Sequence, residues 1–398
     1  MSPERAGRNI RLLMLFNFFE DFIPYSVFTI LIFAEIAGSF TAATAAISIV
    51  MLTQVLSEVP TGLISDLVGR KRTMIFGGIA SSLSVTCYIF AQDAGLIFIG
   101  AALGGITRAF YSGNNEAMLY DTLVEAGRED DYRDVSGRTS SMFQVAGAAS
   151  AITGGLLAAG LGYRAVLIAS VFPQIACIGV ALLMTNPKPH MTESRPFGHL
   201  RESAALIWRN PRLRFLALGQ MTGFAFGEVA FQFRAAFVER LWPLWAIGLM
   251  RAMSNVLGAI SFYFAGRVIR RVGERRLMLG VPFGTNLLDI VWIVNAGILS
   301  PFVMGLNSIF YGVVSISSRT LIQREFSPQH RATMGSVAAL GGSFMFAVVS
   351  ILFGVITDAI GPDAALIFAL IGAMGAVFWY RKALNEKPVV TVAQDAAA

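Results

Sequence analysis

The stretch SEVPTGLISDLVGRK, Ser57 to Lys71, carries an apolar run into a cluster of charge. The run behind it, Ala42 to Ser65, is long enough to cross a bilayer, because about 20 apolar residues rising 1.5 Å each match a hydrocarbon core near 30 Å. Asp66, Gly69, Arg70, Lys71 and Arg72 follow, and a second apolar run, Thr73 to Ala91, begins directly after them. Two runs joined by a short charged turn predict neighbouring transmembrane helices.

The same reading extends along the chain. Of 398 residues, 55% are hydrophobic and 14% charged, against about 25% charged in an average soluble domain, so there is too little polar surface to coat a water-soluble globule. About twelve runs have spanning length. In the first half they are Leu12–Glu35, 42–65, 73–91, 94–119, 139–159 and 165–184. In the second they are 213–238, 244–265, 277–296, 301–318, 333–357 and 364–380. The expected fold class is an all-α polytopic membrane protein.

Basic residues mark the cytoplasmic loops. Arg70, Lys71 and Arg72 follow span two, and Arg128, Arg133 and Arg138 follow span four. Arg267, Arg270, Arg271, Arg275 and Arg276 follow span eight, and Arg324 and Arg331 follow span ten. Only Arg164 and Arg240 lie in the opposite loops. Both termini are therefore expected in the cytoplasm, and the pI near 9.5 reflects topology rather than nucleic-acid binding. The start, MSPERAGRNIRLLMLF, has basic residues before an apolar run, but Glu20 and Asp21 interrupt that run and no small-residue cleavage site follows, so an uncleaved first helix is expected.

Enzyme chemistry finds little support. His190, His199 and His330 fall in predicted loops, and neither a His-Glu-x-x-His zinc motif nor a Gly-x-x-x-x-Gly-Lys-Ser/Thr phosphate loop occurs. Cys87 and Cys177 lie inside predicted spans and suggest packing rather than a disulfide or a metal site. No cofactor is expected.

The longest polar interruption, Thr185 to Arg214, divides the chain into two groups of spans. The expected domains are 1–184, a linker 185–212, a second bundle 213–383 and a tail 384–398. After span two stands GLISDLVGRK, Gly62 to Lys71, and after span eight GRVIRRVGER, Gly266 to Arg275, with two equally spaced glycines and following bases in each. Such internal repeats are common in secondary transporters.

PTGLISDLVGRK resembles the signature loop of the major facilitator superfamily, Gly-x-x-x-Asp-Arg/Lys-x-Gly-Arg-Arg/Lys. Gly62, Asp66, Gly69, Arg70 and Lys71 fit it; Leu67 replaces a usual base, and the second copy has Arg270 where Asp66 would be. The resemblance implies twelve helices in two pseudo-symmetric six-helix bundles. It also implies a latch in which Asp66 faces the end of span eleven and Arg70 pairs with Asp121, favouring the state closed to the cytoplasm. Glycines in such a loop are expected to let helices approach closely. Two further signatures are imperfect: Arg108 is followed by Ser112 and then Gly113, and the antiporter pattern Gly-Pro-x-x-Gly-Gly appears as Ser150, Ala151, Ile152, Thr153, Gly154 and Gly155.

Inside the spans, ionisable residues are costly and mark functional candidates. Residues four apart share a helix face, so Asn17, Asp21, Tyr25 and Thr29 are expected to form one stripe, with Glu20 turned about 100° away. Asp21 and Arg108 are expected at similar depth and form the first proposed pair. The resemblance implies that spans one, four, seven and ten line the central cavity. On these, Gln220, Glu228 and Gln232 form a second stripe, and Asn307, Tyr311, Ser315 and Arg319 a third. Span two carries Gln54 and Glu58, with a bend expected at Pro60, and Glu116 lies two helical steps beyond Arg108 on span four. Glu228 and Arg251 are an expected structural pair, and Asp289 with Asn286 a packing contact.

A desolvated carboxylate holds its proton more tightly, and buried acids outnumber buried bases in the first half, so proton coupling is expected. The reading is a secondary transporter resembling drug:proton antiporters, exporting a lipophilic or cationic small molecule by alternating access. Proton symport or facilitated uptake of a nutrient is the alternative, and a receptor or scaffold the non-transport one. The expected partners are a small-molecule substrate, protons and the lipid bilayer, for a monomer in a cell membrane, a bacterial inner membrane by preference.

Overall fold

The computed structural model describes residues 1–188, 207–324 and 328–386, with all their side chains except those of 133, 319, 322–324 and 328–336. Every described element is a helix. Eleven are long and apolar enough to cross a membrane. The position of span seven is taken by a further helix of 29 residues, Pro211–Glu239, whose apolar stretch is interrupted by Gln220, Glu228 and Gln232.

The helices of the first half are α1 (Pro3–Asp21), α2 (Thr29–Ala37), α3 (Phe40–Val68), α4 (Arg70–Phe90), α5 (Ala94–Tyr111), α6 (Asn114–Glu125), α7 (Tyr132–Leu161) and α8 (Tyr163–Leu183). Those of the second are α9 (Pro211–Glu239), α10 (Leu244–Val272), α11 (Glu274–Val294), α12 (Ser300–Leu306), α13 (Tyr311–Arg324), α14 (Pro328–Ile360) and α15 (Pro362–Asn385). They form two compact units. The first comprises 1–192 with 242–255, and the second 193–241 with 256–398.

The internal repeat is legible in the backbone. Gly69 joins α3 to α4 at φ +89°, ψ 154°, and Gly273 joins α10 to α11 at φ +88°, ψ 140°, an extended positive-φ conformation that is open essentially to glycine and costs other residues about 1–3 kcal/mol. Helix α3 runs unbroken through Pro60. Thr61 donates from Oγ1 to the carbonyls of Ser57 at 2.8 Å and Ala109 at 3.1 Å, tying the proline turn to the end of α5.

Packing inside each unit follows the small-residue logic of membrane helices, where close van der Waals contact replaces a hydrophobic driving force. In the first unit Leu13, Phe16, Met74, Tyr111, Met118, Leu123 and Cys177 form a buried cluster across α1, α4, α5, α6 and α8. In the second, Leu216, Met278, Leu321, Ala376 and Tyr380 do the same. The close approach expected at Gly62 is made elsewhere. A methyl on Gly62 would meet nothing within 4 Å, whereas one on Gly105 would come within 2.5 Å of the Val50 carbonyl, so α3 and α5 meet at Gly105.

Candidate functional site

Span one is broken beside its acids. Helix α1 ends at Asp21, the Phe22 amide closes onto the Phe18 carbonyl at 2.9 Å, and a 3-10 turn, Pro24–Phe28, intervenes before α2. Pro24 has no N–H to continue the helix and forces Ile23 away from helical geometry. The expected stripe is therefore divided: Asn17 and Asp21 belong to α1, and Tyr25 and Thr29 do not share its face. Glu20 and Asp21 sit at the end of α1 that carries the partial negative charge of unsatisfied carbonyls. That placement is unfavourable for two carboxylates and favourable for a bound cation or proton.

Span four breaks too. Helix α5 ends at Tyr111, Gly113 turns the chain at φ +71°, and α6 starts at Asn114. Arg108 lies in the last turn of α5, where a cation complements the helix dipole. Glu116 stands on the other side of the break, so its two-step spacing from Arg108 does not place the two on one face. Glu116 and Glu58 are both exposed.

The two breaks are joined by one side chain. Asn115 donates from Nδ2 to Glu20 Oε2 at 2.6 Å and to Asn17 Oδ1 at 3.3 Å. Asn17 in turn donates to the Thr139 carbonyl on α7 at 3.5 Å. Among the described residues Asn115 Oδ1 has no hydrogen-bond partner, although it is buried. Arg108 lies within electrostatic reach of Glu20, Asp21 and Tyr25, yet among the described residues no ion pair joins it to Asp21. Arg108 thus acts on Asp21 through its field, and the direct contact in this region is that of Glu20 with Asn115. Tyr25 is fixed by its amide, which donates to Ser170 Oγ at 3.2 Å, and by an edge-on contact with Tyr88. A methyl on Gly154 would strike the Pro24 carbonyl, so this glycine admits α7 against the break.

The loop after span two forms a compact network. Arg70 Nη1 lies 3.2 Å from Asp66 Oδ1 and 2.8 Å from Ser65 Oγ, and its Nε lies 3.4 Å from the buried Asp121. Ser65 donates to Asn114 Oδ1 at 2.7 Å, and Asn114 Nδ2 donates to the Arg70 carbonyl at 3.2 Å. Lys71 is held by its amide on Asn186 Oδ1 at 3.1 Å and by its ammonium on the Leu182 carbonyl at 2.7 Å. The far partner expected for Asp66, the start of span eleven, has side chains outside the described residues.

In the second unit Gln232 donates to Glu228 at 2.9 Å, while Gln220 is half-buried. Asp289 is 1% exposed and does not rest on Asn286: its Oδ2 takes Arg234 Nη2 at 2.6 Å and its Oδ1 takes Asn307 Nδ2 at 2.5 Å. Span ten is divided as well, by a 3-10 turn from Asn307 to Phe310, so Asn307 and Tyr311 do not continue one stripe. Tyr311 is exposed and meets Phe262 edge-on, and Arg319 lies outside the described side chains.

Sequence reasoning passed over Asn114, Asn115 and the Arg234–Asp289 pair. The signals were there: Ser112-Gly113-Asn114 reads as a turn inside a predicted span, and Asp289 is the one acid in span nine. Among the described residues no group of three or more acids, histidines and cysteines is placed to hold a metal.

A family model, the Major Facilitator Superfamily, matches residues 11–348. The chain belongs to the major facilitator superfamily. It is a transporter rather than an enzyme, and a multi-pass membrane protein. Solved structures of the superfamily's fold align over nearly the whole chain. The nucleoside transporter NupG aligns with a TM-score of 0.79 at 12% identity, over 96% of this chain and 99% of that one. A bacterial homologue of the human lysosomal transporter Spinster, inward-facing and unoccupied, gives 0.74 at 16% identity, over 96% of each chain. A D-xylose-proton symporter gives 0.72 at 13% identity, over 94% and 97%. No curated protein sequence matches.

Proposed function

We propose that this superfamily member is a proton-coupled transporter that exports a cationic or lipophilic small molecule, with the bundles 1–184 and 213–383 rocking about a midplane site. The observation that carries the reading is the pair of carboxylates, Glu20 and Asp21, at the broken end of α1 with no ion-pair partner among the described residues. Inside a membrane such a site gains most from a proton or a cation, and exchange of one for the other couples the two fluxes. Arg108 supplies a positive field that lets the site release what it binds. Glu58, Glu116, Gln220, Glu228, Gln232, Asn307 and Tyr311 remain proposed cavity residues. Gly62, Asp66, Gly69, Arg70, Lys71 and Asp121 form the proposed cytoplasmic gate.

Uptake by proton symport is the second reading. It is favoured by the likeness to a D-xylose-proton symporter. One experiment separates them: accumulation of labelled cationic, anionic and neutral solutes by cells expressing the protein, Asp21→Asn or Glu20→Gln, with and without a protonophore. Reduced accumulation that both the protonophore and either substitution abolish supports export. Raised accumulation with the same sensitivities supports symport, and transport indifferent to both treatments removes the proton from the mechanism.

A further inference from the structure

Helix α6 is short, 12 residues, and grips two different parts of the first unit by adjacent side chains in its first turn. Asn114, 4% exposed, holds the gate loop through Ser65 Oγ and the Arg70 carbonyl. Asn115 holds the acid end of α1 through Glu20 and Asn17. Further along the same helix, Asp121 takes Arg70 Nε. At its other side α6 is separated from α5 by Gly113, whose φ of +71° and open surroundings make it a free joint.

We infer that Asn114 and Asn115 are a relay, through which the state of Glu20 sets the grip of α6 on the Arg70 gate. The inference rests on the reading of Glu20 as a coupling group. When Glu20 is ionised, its 2.6 Å bond from Asn115 is charge-assisted and about twice as strong as a neutral one. Neutralising Glu20 loosens Asn115, and since Asn114 is the preceding residue on the same helical turn, a rotation of α6 about Gly113 that releases one must displace the other. Ser65 and the Arg70 carbonyl then lose Asn114, and Asp121, carried on the same helix, shifts against Arg70 Nε. The path from Glu20 to Asp66 is continuous: the α6 backbone joins Asn115 to Asn114, and every other link is a hydrogen bond or ion pair of 3.4 Å or less. Asn114 and Asn115 are positioning residues: neither needs to touch the transported solute.

The test is a double-mutant cycle read at the gate. Leu67, 86% exposed in the gate loop, is replaced by cysteine in a full-length chain carrying Cys87→Ser and Cys177→Ala. The rate of its modification by N-ethylmaleimide in membranes is then measured with Glu20→Gln, Asn115→Ala and both. Glu20→Gln is expected to change the rate at least about fivefold, the low end of ordinary coupling between sites. With Asn115→Ala present, the same Glu20→Gln step is expected to change it less than about twofold. Asn114→Ala, which cuts the other half of the relay, is expected to do likewise. Gly113→Ala, which stiffens the joint, provides a further variant should either asparagine variant fold poorly. An equal Glu20→Gln effect with and without the asparagines overturns the relay, as does no effect in the parent. The protonophore experiment is independent: a failed cycle with protonophore-sensitive transport leaves proton coupling standing, and a successful cycle with insensitive transport keeps the relay while replacing the proton by another occupant of Glu20.

Discussion

The two units carry acids inside their spans in opposite circumstances. In the second, Asp289 sits at 1% exposure with Arg234 on one oxygen and Asn307 on the other. In the first, Glu20 and Asp21 lie at the negative end of a broken helix; Glu20 is bonded by a neutral amide, and Arg108 stands off without an ion pair to Asp21. A satisfied acid has no need of a visiting charge. An under-compensated one gains from each proton or cation that reaches it, and this distinguishes a structural pair from a coupling site more sharply than burial does.

The largest effect expected from that comparison is at Asp289. Asp289→Ala leaves the Arg234 guanidinium without its counter-charge, at a cost of about 3 kcal/mol, the low end for breaking a buried pair because Arg234 keeps 23% exposure. Thermal unfolding of the purified protein reads this loss, and combining Asp289→Leu with Arg234→Met should recover most of it. Next comes Gly154→Ala. Its new methyl meets the Pro24 carbonyl, a backbone atom that does not swing aside, so overpacking of about 1–3 kcal/mol is expected. The break that presents Glu20 and Asp21 moves with it, and transport should fall together with stability. A smaller pair follows at the repeat turns. Gly69→Ala and Gly273→Ala each impose a positive-φ backbone penalty of about 1–2 kcal/mol, the lower part of the range for such strain; only at Gly69 does the added carbon also meet a side chain, Asn186. The difference between the two unfolding midpoints therefore isolates that contact.

Much of this architecture was legible in the sequence because its causes are local. Hydrophobic length gives the spans, and the glycines of GLISDLVGRK and GRVIRRVGER give matching positive-φ turns at Gly69 and Gly273. What the sequence concealed is where a spanning helix stops being one helix. A period of 3.6 residues carries Asn17 to Asp21 to Tyr25 only while the backbone continues, and Pro24 ends it; Gly113 does the same between Arg108 and Glu116. Both residues were visible as breakers. Their consequence was not, because a run of apolar length reads as continuous whether or not a neighbour such as Gly154 has made room for a break. Partner choice was hidden for a related reason: Arg234 and Asp289 are on different helices, and only packing brings them together.

The smallest expected change in stability belongs to Glu20→Gln, and it carries the comparison's meaning. Glutamine keeps an oxygen that can accept a weaker, neutral bond from Asn115 Nδ2, so folding loses only the charge-assisted part of the link between α1 and α6 while its hold on the gate loosens. Removing a negative charge from the C-terminal end of α1 relieves a dipole repulsion of about 0.3–1 kcal/mol, so the unfolding midpoint should hold or rise slightly. Asp289→Asn has no such relief, because it strips Arg234 of its partner. At the same time Glu20→Gln should abolish protonophore-sensitive transport, giving a protein at least as stable as the parent and inactive, the sign expected where function holds a charge in an unfavourable place. If it instead lowers the midpoint as far as Asp289→Ala does, Glu20 is held by compensation as complete as that of Asp289, and the asymmetry between the two units does not mark the coupling site.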